Sequence, residues 1–372
     1  MRSNLKIYIL VAVMVLIALA IYFLSYGQPM KNSSSEASNV SPRILSEEKS
    51  KKYELAKEIS TPDGFINTGS NPISISELIG KQVILVDFWT YSCINCQRTT
   101  PYLNSWHAKY KDKGLVIIGM HTPEFEFEKD YGNVEKAVKK FQIQYPVVLD
   151  NDYSTWTAYK NRYWPRKYLI DIDGYIIYDH IGEGKYEETE QKIQQALTER
   201  MNILAEAGNI NEPLTKEVSL QSLPESPETY FGSTRNEFLG NAKTGVLGLQ
   251  KNLSIPSQID SNTLYLSGDW NLESQFAQNA SAIAGIAYTY KAKDVFFVAE
   301  AEEEAMVEVL LDGKPIITGM GEDITKTADG RTILKVKEAR LYKIIQDINL
   351  ETHHLEFIIR KPGLKAFTFT FG

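Results

Sequence analysis

Two of the 372 residues are cysteines, Cys93 and Cys96, separated only by Ile94 and Asn95. They follow the apolar run Val83-Ile84-Leu85-Val86-Asp87-Phe88-Trp89, so the first cysteine closes a strand and the second lies inside the following helix. A helix start offers unpaired N–H groups and positive partial charge, which favour the thiolate at Cys93. The i, i+3 spacing puts both sulfurs on one face, so a mixed disulfide at Cys93 can be resolved by Cys96. The chemistry is thiol–disulfide exchange, with a thiolate as the attacking species. A structural disulfide across so short a loop would remove little chain entropy. A metal site would need further ligands. The five histidines, His107, His121, His180, His353 and His354, show no ligand spacing to the pair, so neither metal nor other cofactor is expected.

The elements that must position this pair run from about Ile59 to Met201. Gly64–Ile66 and Ile73–Ile75 read as a short hairpin ahead of the buried strand 83–89. Leu103, Trp106 and Tyr110 recur at i, i+3 and i+7 after the cysteines, a helix with one inward face. Leu115 to Met120 is a second strand, and Asn133 is placed to cap a helix carrying Val134, Ala137 and Phe141. A third strand covers 147–149. Asp173-Gly174 joins strands 168–172 and 175–181 as a hairpin, and a polar helix from Tyr186 to about Ala207 closes the block. The order predicts parallel crossovers first and an antiparallel hairpin last, with the cysteines at the sheet edge where α/β ligand sites gather. After Asn209 short alternating strands take over, which predicts an all-β sandwich.

Forty basic against 47 acidic residues give a net charge of −7, so no basic surplus exists to neutralise phosphates. Residues 7–26 form 20 uncharged positions, enough to span a bilayer as a helix, and Arg2 and Lys6 precede them. The expectation is a short cytoplasmic N-terminus (1–6), an uncleaved transmembrane anchor (7–26) and extracytoplasmic domains beyond. The rival is a cleaved signal peptide, but Tyr22, Phe23 and Leu24 stand where small residues are wanted. Seven serines among residues 31–50 mark a flexible linker, taken as 27–58.

Val86-Asp87-Phe88-Trp89, three residues, Cys-x-x-Cys and then Pro101 resemble the thioredoxin superfamily. The stretch 85–183 is similar to its TlpA/ResA-type branch. The resemblance is closer still to the exported part of DipZ-type thiol:disulfide interchange proteins. It is carried by Trp89 to Cys96, His121-Thr122-Pro123-Glu124-Phe125, 146–151 and Tyr163-Trp164-Pro165. It continues through Ser226-Pro227-Glu228-Thr229-Tyr230-Phe231-Gly232, Arg340-Leu341-Tyr342 and Phe369-Thr370-Phe371-Gly372.

This resemblance implies a thioredoxin-like domain at 59–208, a linker at 209–224 and a jelly-roll-like, carbohydrate-binding-module-like domain at 225–372. It implies that Pro165 is a cis-proline facing the cysteines and that Trp89 and Trp164 help to bind substrate. It further implies that Asp87 lies beneath the pair and takes the Cys96 proton, with Glu124 as rival or helper beside the second cysteine. Read by itself, Asp87 is equally a carboxylate turned to solvent or hydrogen-bonded in the core. Glu126 and Glu128 read as solvated, and His121 as a satisfied strand-end histidine.

DipZ-type proteins carry a many-spanning electron-conducting domain. The single apolar segment here implies a separate, CcdA-like membrane donor that reduces the pair, which in turn acts on protein disulfides. Among the β-region aromatics, Tyr230, Trp270, Tyr288, Tyr290 and Tyr342 are candidates for stacking on cell-wall glycan, although core packing is the default for a strand aromatic. The acidic run Glu300, Glu302, Glu303 and Glu304 reads as a solvated loop or, less simply, a calcium site. Two alternatives stay open: a wall-binding scaffold with a secondary redox domain, and a thiol peroxidase suggested by Thr90 three residues before Cys93, against which stands Val86 in place of a proline.

Overall fold

A computed structural model of the chain describes residues 48–69, 71–216, 224–346 and 349–372. The expected anchor at 7–26 lies outside the described residues. Among those residues, no helix is long and apolar enough to cross a membrane.

The first half builds a six-stranded sheet in the order β1-β4-β3-β2-β5-β6. Its strands are β1 (Gly64–Ile66), β2 (Val83–Trp89), β3 (Leu115–His121), β4 (Val147–Leu149), β5 (Arg166–Ile170) and β6 (Ile176–Ile181). The helices are α1 (Ile75–Leu78), α2 (Ile94–Tyr110), α3 (Tyr131–Lys140), α4 (Ser154–Ala158) and α5 (Tyr186–Ile203). The early hairpin does not form. β1 instead pairs antiparallel with β4, and Ile75 starts α1, capped by the Ser74 hydroxyl. Asn133 does not cap α3 either; Asp130 does, accepting the Asn133 N–H.

β2 lies at the centre, parallel to β3 and antiparallel to β5, and is buried along its whole length. Its side chains alternate between two cores, as a period of two requires. Ile84, Val86 and Phe88 pack with α1 and α4 residues, while Val83, Leu85 and Trp89 pack under α2 and α5. Asp87 shares the second face, the one that also receives Cys96, Leu103 and Trp106 of α2. Residues 212–215, within the expected linker, are held by Lys109, which donates to the Pro213 carbonyl, and by Gln194, which donates to the Glu212 carbonyl.

The second half is a 13-stranded antiparallel sheet whose main path runs β15 (Ile324–Lys326), β16 (Thr332–Val336), β13 (Ala305–Leu311), β18 (Glu351–Ile359), β11 (Ala284–Ala292), β9 (Leu264–Leu272), β10 (Ala277–Asn279), β19 (Leu364–Phe371), β12 (Val295–Ala301) and β17 (Arg340–Ile345). β7 (Thr229–Tyr230) lies off that path. β9 changes partners at Gly268, where φ is +86° and an added Cβ would stand 2.4 Å from the Ser281 hydroxyl. Phe357 on β18 meets Phe297 on β12 edge-on at 5.2 Å, although the two strands are far apart along the sheet. The sheet therefore folds back over a single apolar core. Trp270, Tyr288, Tyr290 and Tyr342 all belong to that core, so none of these four offers an exposed ring to a sugar. Glu302, Glu303 and Glu304 are exposed, as a solvated loop requires.

The two halves share a fourth, smaller core. Along β12, Val295, Phe297 and Ala299 face the β core, while Phe296 and Val298 face the first half. There they join Leu341 and Phe367 against Ile94 and Phe125. An unbroken apolar strand is what burial on both faces demands.

Candidate active site

Cys93 is the N-cap of α2, with extended backbone, and its sulfur accepts the Cys96 N–H at 3.4 Å. Both cysteines are free thiols; Cys93 is half-buried and Cys96 buried. The Cys93 thiol points to the Trp164 carbonyl at 4.0 Å, and the Trp164–Pro165 peptide is cis. Pro165 is buried, while Trp164 lines the cleft and donates its indole N–H to the Thr122 carbonyl at 2.9 Å. Cys93, Trp164 and Pro165 therefore come together as the resemblance implies. Trp89 does not join them. It is 2 % exposed and packed edge-on to His121, so it supports the site from below and cannot touch substrate.

Asp87 is 2 % exposed, which removes the reading of a carboxylate turned to solvent. Burial pushes its pKa up to about 7, against the pull of the Lys167 charge, and its Oδ1 has no hydrogen-bond partner. Burial also pushes the Cys96 thiol well above its usual range, with the Cys93 sulfur and the Asp87 charge adding to the rise. A buried carboxylate titrating near neutrality beside a reluctant thiol is the pairing that proton transfer needs. Gly119 lies opposite Asp87 on β3, and an added Cβ there would stand 3.0 Å from the Trp89 indole nitrogen and 3.1 Å from the Tyr145 ring. A side chain at that position would have to push the Trp89 or Tyr145 ring aside by a few tenths of an ångström.

Glu124 lines the same cleft as Cys93, but its carboxylate is taken by the β region. It accepts from the Tyr230 hydroxyl at 2.9 Å and from Arg235 at 2.7 Å. Asp87 is an acid whose charge bears on Cys96.

Three further residues escape a sequence-only reading. Lys167, fully buried, stands opposite Asp87 in the β2–β5 register and donates to the Gly182 carbonyl at 3.1 Å. Burial lowers its pKa while Asp87 holds it up. Glu128 is not solvated but wholly buried. One of its oxygens accepts from the Ser92 N–H and hydroxyl and the other from the Glu124 and Phe125 N–H groups, tying the cysteine loop to the loop after β3. Burial raises its pKa, and the Ser92 hydroxyl works against that rise. Glu126 is the solvated one, paired with Lys129. His121 does end β3, but both ring nitrogens lack partners, and burial lowers its pKa to about 3, so it stays neutral. Thr90, the residue behind the peroxidase alternative, is buried and gives its carbonyl to the Cys93 N–H.

Among the described residues, one trio has metal-ligand spacing: Asp171, Asp173 and Glu199. Asp171 and Asp173 follow the far end of β5, opposite the Pro165 end, and so stand away from the cysteines.

The family model described as Redoxin matches residues 52–197, and the one described as thioredoxin like C-terminal domain matches residues 226–372. Protein DipZ of Mycobacterium tuberculosis is 36 % identical over 321 residues, covering 85 % of this chain and 43 % of the relative. The chain thus spans less than half the length of that relative. A solved thioredoxin-like protein in its oxidised form is 25 % identical, with a TM-score of 0.37, over 40 % of this chain and 97 % of its own. The thiol-disulfide oxidoreductase ResA of Bacillus cereus is 33 % identical over 123 residues, which make up 33 % of this chain and 68 % of ResA. On that relationship, the chain belongs to the ResA-type family of thioredoxin-like thiol-disulfide oxidoreductases.

Proposed function

We propose that this chain exchanges disulfides with protein substrates, Cys93 attacking and Cys96 resolving. The observation that carries the reading is the buried Cys96 thiol on the same face as Asp87, one turn into the helix that Cys93 caps. In the reducing direction the Cys93 thiolate attacks one substrate sulfur, and the other leaves as a thiolate. Asp87 then takes the Cys96 proton, and the Cys96 sulfur attacks Cys93. The second substrate thiolate departs. Two electrons have passed to the substrate, and the chain holds a Cys93–Cys96 disulfide that an external dithiol must reduce again.

The residue run 7–26 supports a single-pass membrane anchor with both folded regions extracytoplasmic, and a CcdA-like membrane carrier is the proposed source of electrons. A glycan ligand for the β region would have to be bound without Trp270, Tyr288, Tyr290 and Tyr342, which the core consumes. The reduction potential of the cysteine pair tests the direction. A value near about −270 mV supports a reductant, and one near about −120 mV an oxidant. A Cys93→Ser variant should lose disulfide reduction altogether; retained turnover would remove the enzymatic reading in favour of a scaffold.

A further inference from the structure

The β region packs against the segment that carries the attacking sulfur and lines the cleft in front of it. Ile94, the residue between Cys93 and Asn95, packs into the apolar core shared by the two halves, beside Phe125, Phe296, Val298 and Phe367. Phe367 meets Phe125 at 5.1 Å and Phe127 at 4.8 Å between ring centroids. Polar contacts surround this core on several sides. Arg98 pairs with Asp294 at 3.6 Å, the Tyr91 hydroxyl donates to the Ala339 carbonyl at 3.0 Å, and the Glu126 N–H donates to the Gln275 side chain at 2.9 Å. Arg235 closes the ring at Glu124, with its guanidinium 3.6 Å from the centre of the Tyr230 ring. An apolar centre with a polar rim is how a stable protein interface is built.

The consequence is a walled cleft at Cys93. Its volume is about 310 Å³, with Cys93, Asn95 and Trp164 on one side and Glu228, Tyr230 and Thr370 on the other. That is the low end of the roughly 300–1,000 Å³ typical of small-molecule sites. The face of a folded domain does not fit such a space, and a single extended strand does. The Trp164 carbonyl beside the Cys93 sulfur gives that strand a main-chain acceptor, the contact on which extended-peptide recognition rests. Glu228 adds an exposed carboxylate on the β side, where it accepts from the Thr370 hydroxyl at 3.0 Å.

Building on the thiol–disulfide reading above, we infer that the β region is a specificity wall, admitting cysteines presented on extended, flexible polypeptide and excluding those held on a folded surface. The exchange steps are those already given; the wall decides which disulfide reaches Cys93.

The test presents one cysteine in two settings. A small folded protein with a single surface cysteine, and a linear peptide of the sequence around it, are each capped as the mixed disulfide with β-mercaptoethanol. Each is reduced by the full chain, and each rate is divided by the rate with dithiothreitol, a reductant that has no wall. The normalised peptide rate should exceed the folded-protein rate by about tenfold or more. Phe367→Ala, which loosens the shared core without lining the cleft, should bring the two rates to within about threefold, while leaving reduction of free hydroxyethyl disulfide within about twofold. Wild-type rates within about twofold of each other would overturn the inference, whether or not the variant folds. A folded variant that keeps the wild-type ratio would do the same. Failure to reduce even hydroxyethyl disulfide would instead defeat the underlying redox reading.

Discussion

Asp87→Asn tests the proton path most sharply. The carboxyl sits on the α2-facing side of β2, and burial raises its pKa from 3.8 to about 7 despite Lys167 across the strand pair. At 1.36 kcal/mol per pH unit, that rise corresponds to about 4 kcal/mol set against ionising the group in place. At pH 7 about half the molecules hold the carboxylate that accepts the Cys96 proton, and two pH units lower only about one in a hundred do. Resolution of the mixed disulfide should therefore climb about tenfold per pH unit and level off above about pH 7. Asparagine cannot take the proton, so the variant should resolve about 10²-fold more slowly at pH 7, the lower end of what a positioned base supplies.

The assay loads Cys93 with a chromophoric aromatic thiol and follows its release by stopped flow across neutral pH. The same substitution has a stability signature of known sign. Between the unfolded pKa near 3.8 and the folded value near 7, the native state holds a proton that the unfolded chain releases. Wild-type stability should thus fall as pH rises through that window, and the variant should lose the slope. A variant that resolves within about threefold of wild type with the same pH profile would leave Asp87 a structural acid with no part in proton transfer.

Glu124→Gln should slow resolution far less than Asp87→Asn in the same assay, because its partners are Tyr230 and Arg235; equal slowing would restore it as the base. Glu128→Gln places an NH₂ group against N–H donors from Ser92, Glu124 or Phe125 and should lower stability by about 2 kcal/mol in urea melts, while the Ser92–Cys93 amides exchange faster. Trp270→Ala should cost about 3–5 kcal/mol of β-region stability, as deletion of a core tryptophan does, and an undiminished melting temperature would show the ring to be outside the core.

The strand–Cys-x-x-Cys–helix unit was legible because it is local: an apolar run, a cap and a 3.6-residue stripe lie within 30 residues of one another. Glu128 was hidden by its setting. Phe125-Glu126-Phe127-Glu128 reads as a surface alternation, but the segment coils into a 3₁₀ turn that points Glu126 outward and Glu128 inward. Lys167 escaped because a lysine is rarely buried, and the Asp87 charge that faces it is 80 positions earlier, visible only once β5 is set antiparallel to β2. Glu124 was placed beside the second cysteine by resemblance, and the distant Arg235 draws its carboxylate elsewhere. The shared core did leave a signal in the sequence. Val295 to Ala299 has no polar residue on either face, which a strand with one solvated face would show.

The division of labour between Cys93, which attacks, and Cys96, which resolves, is read out by a Cys96→Ser variant. Incubated in its reduced form with a peptide disulfide and then quenched with acid, it should carry the peptide covalently on Cys93 when digested and weighed by mass spectrometry. The corresponding Cys93→Ser variant should carry none. A peptide found on Cys96 in the Cys93→Ser chain, with Cys93 unmodified in the Cys96→Ser chain, would contradict the account.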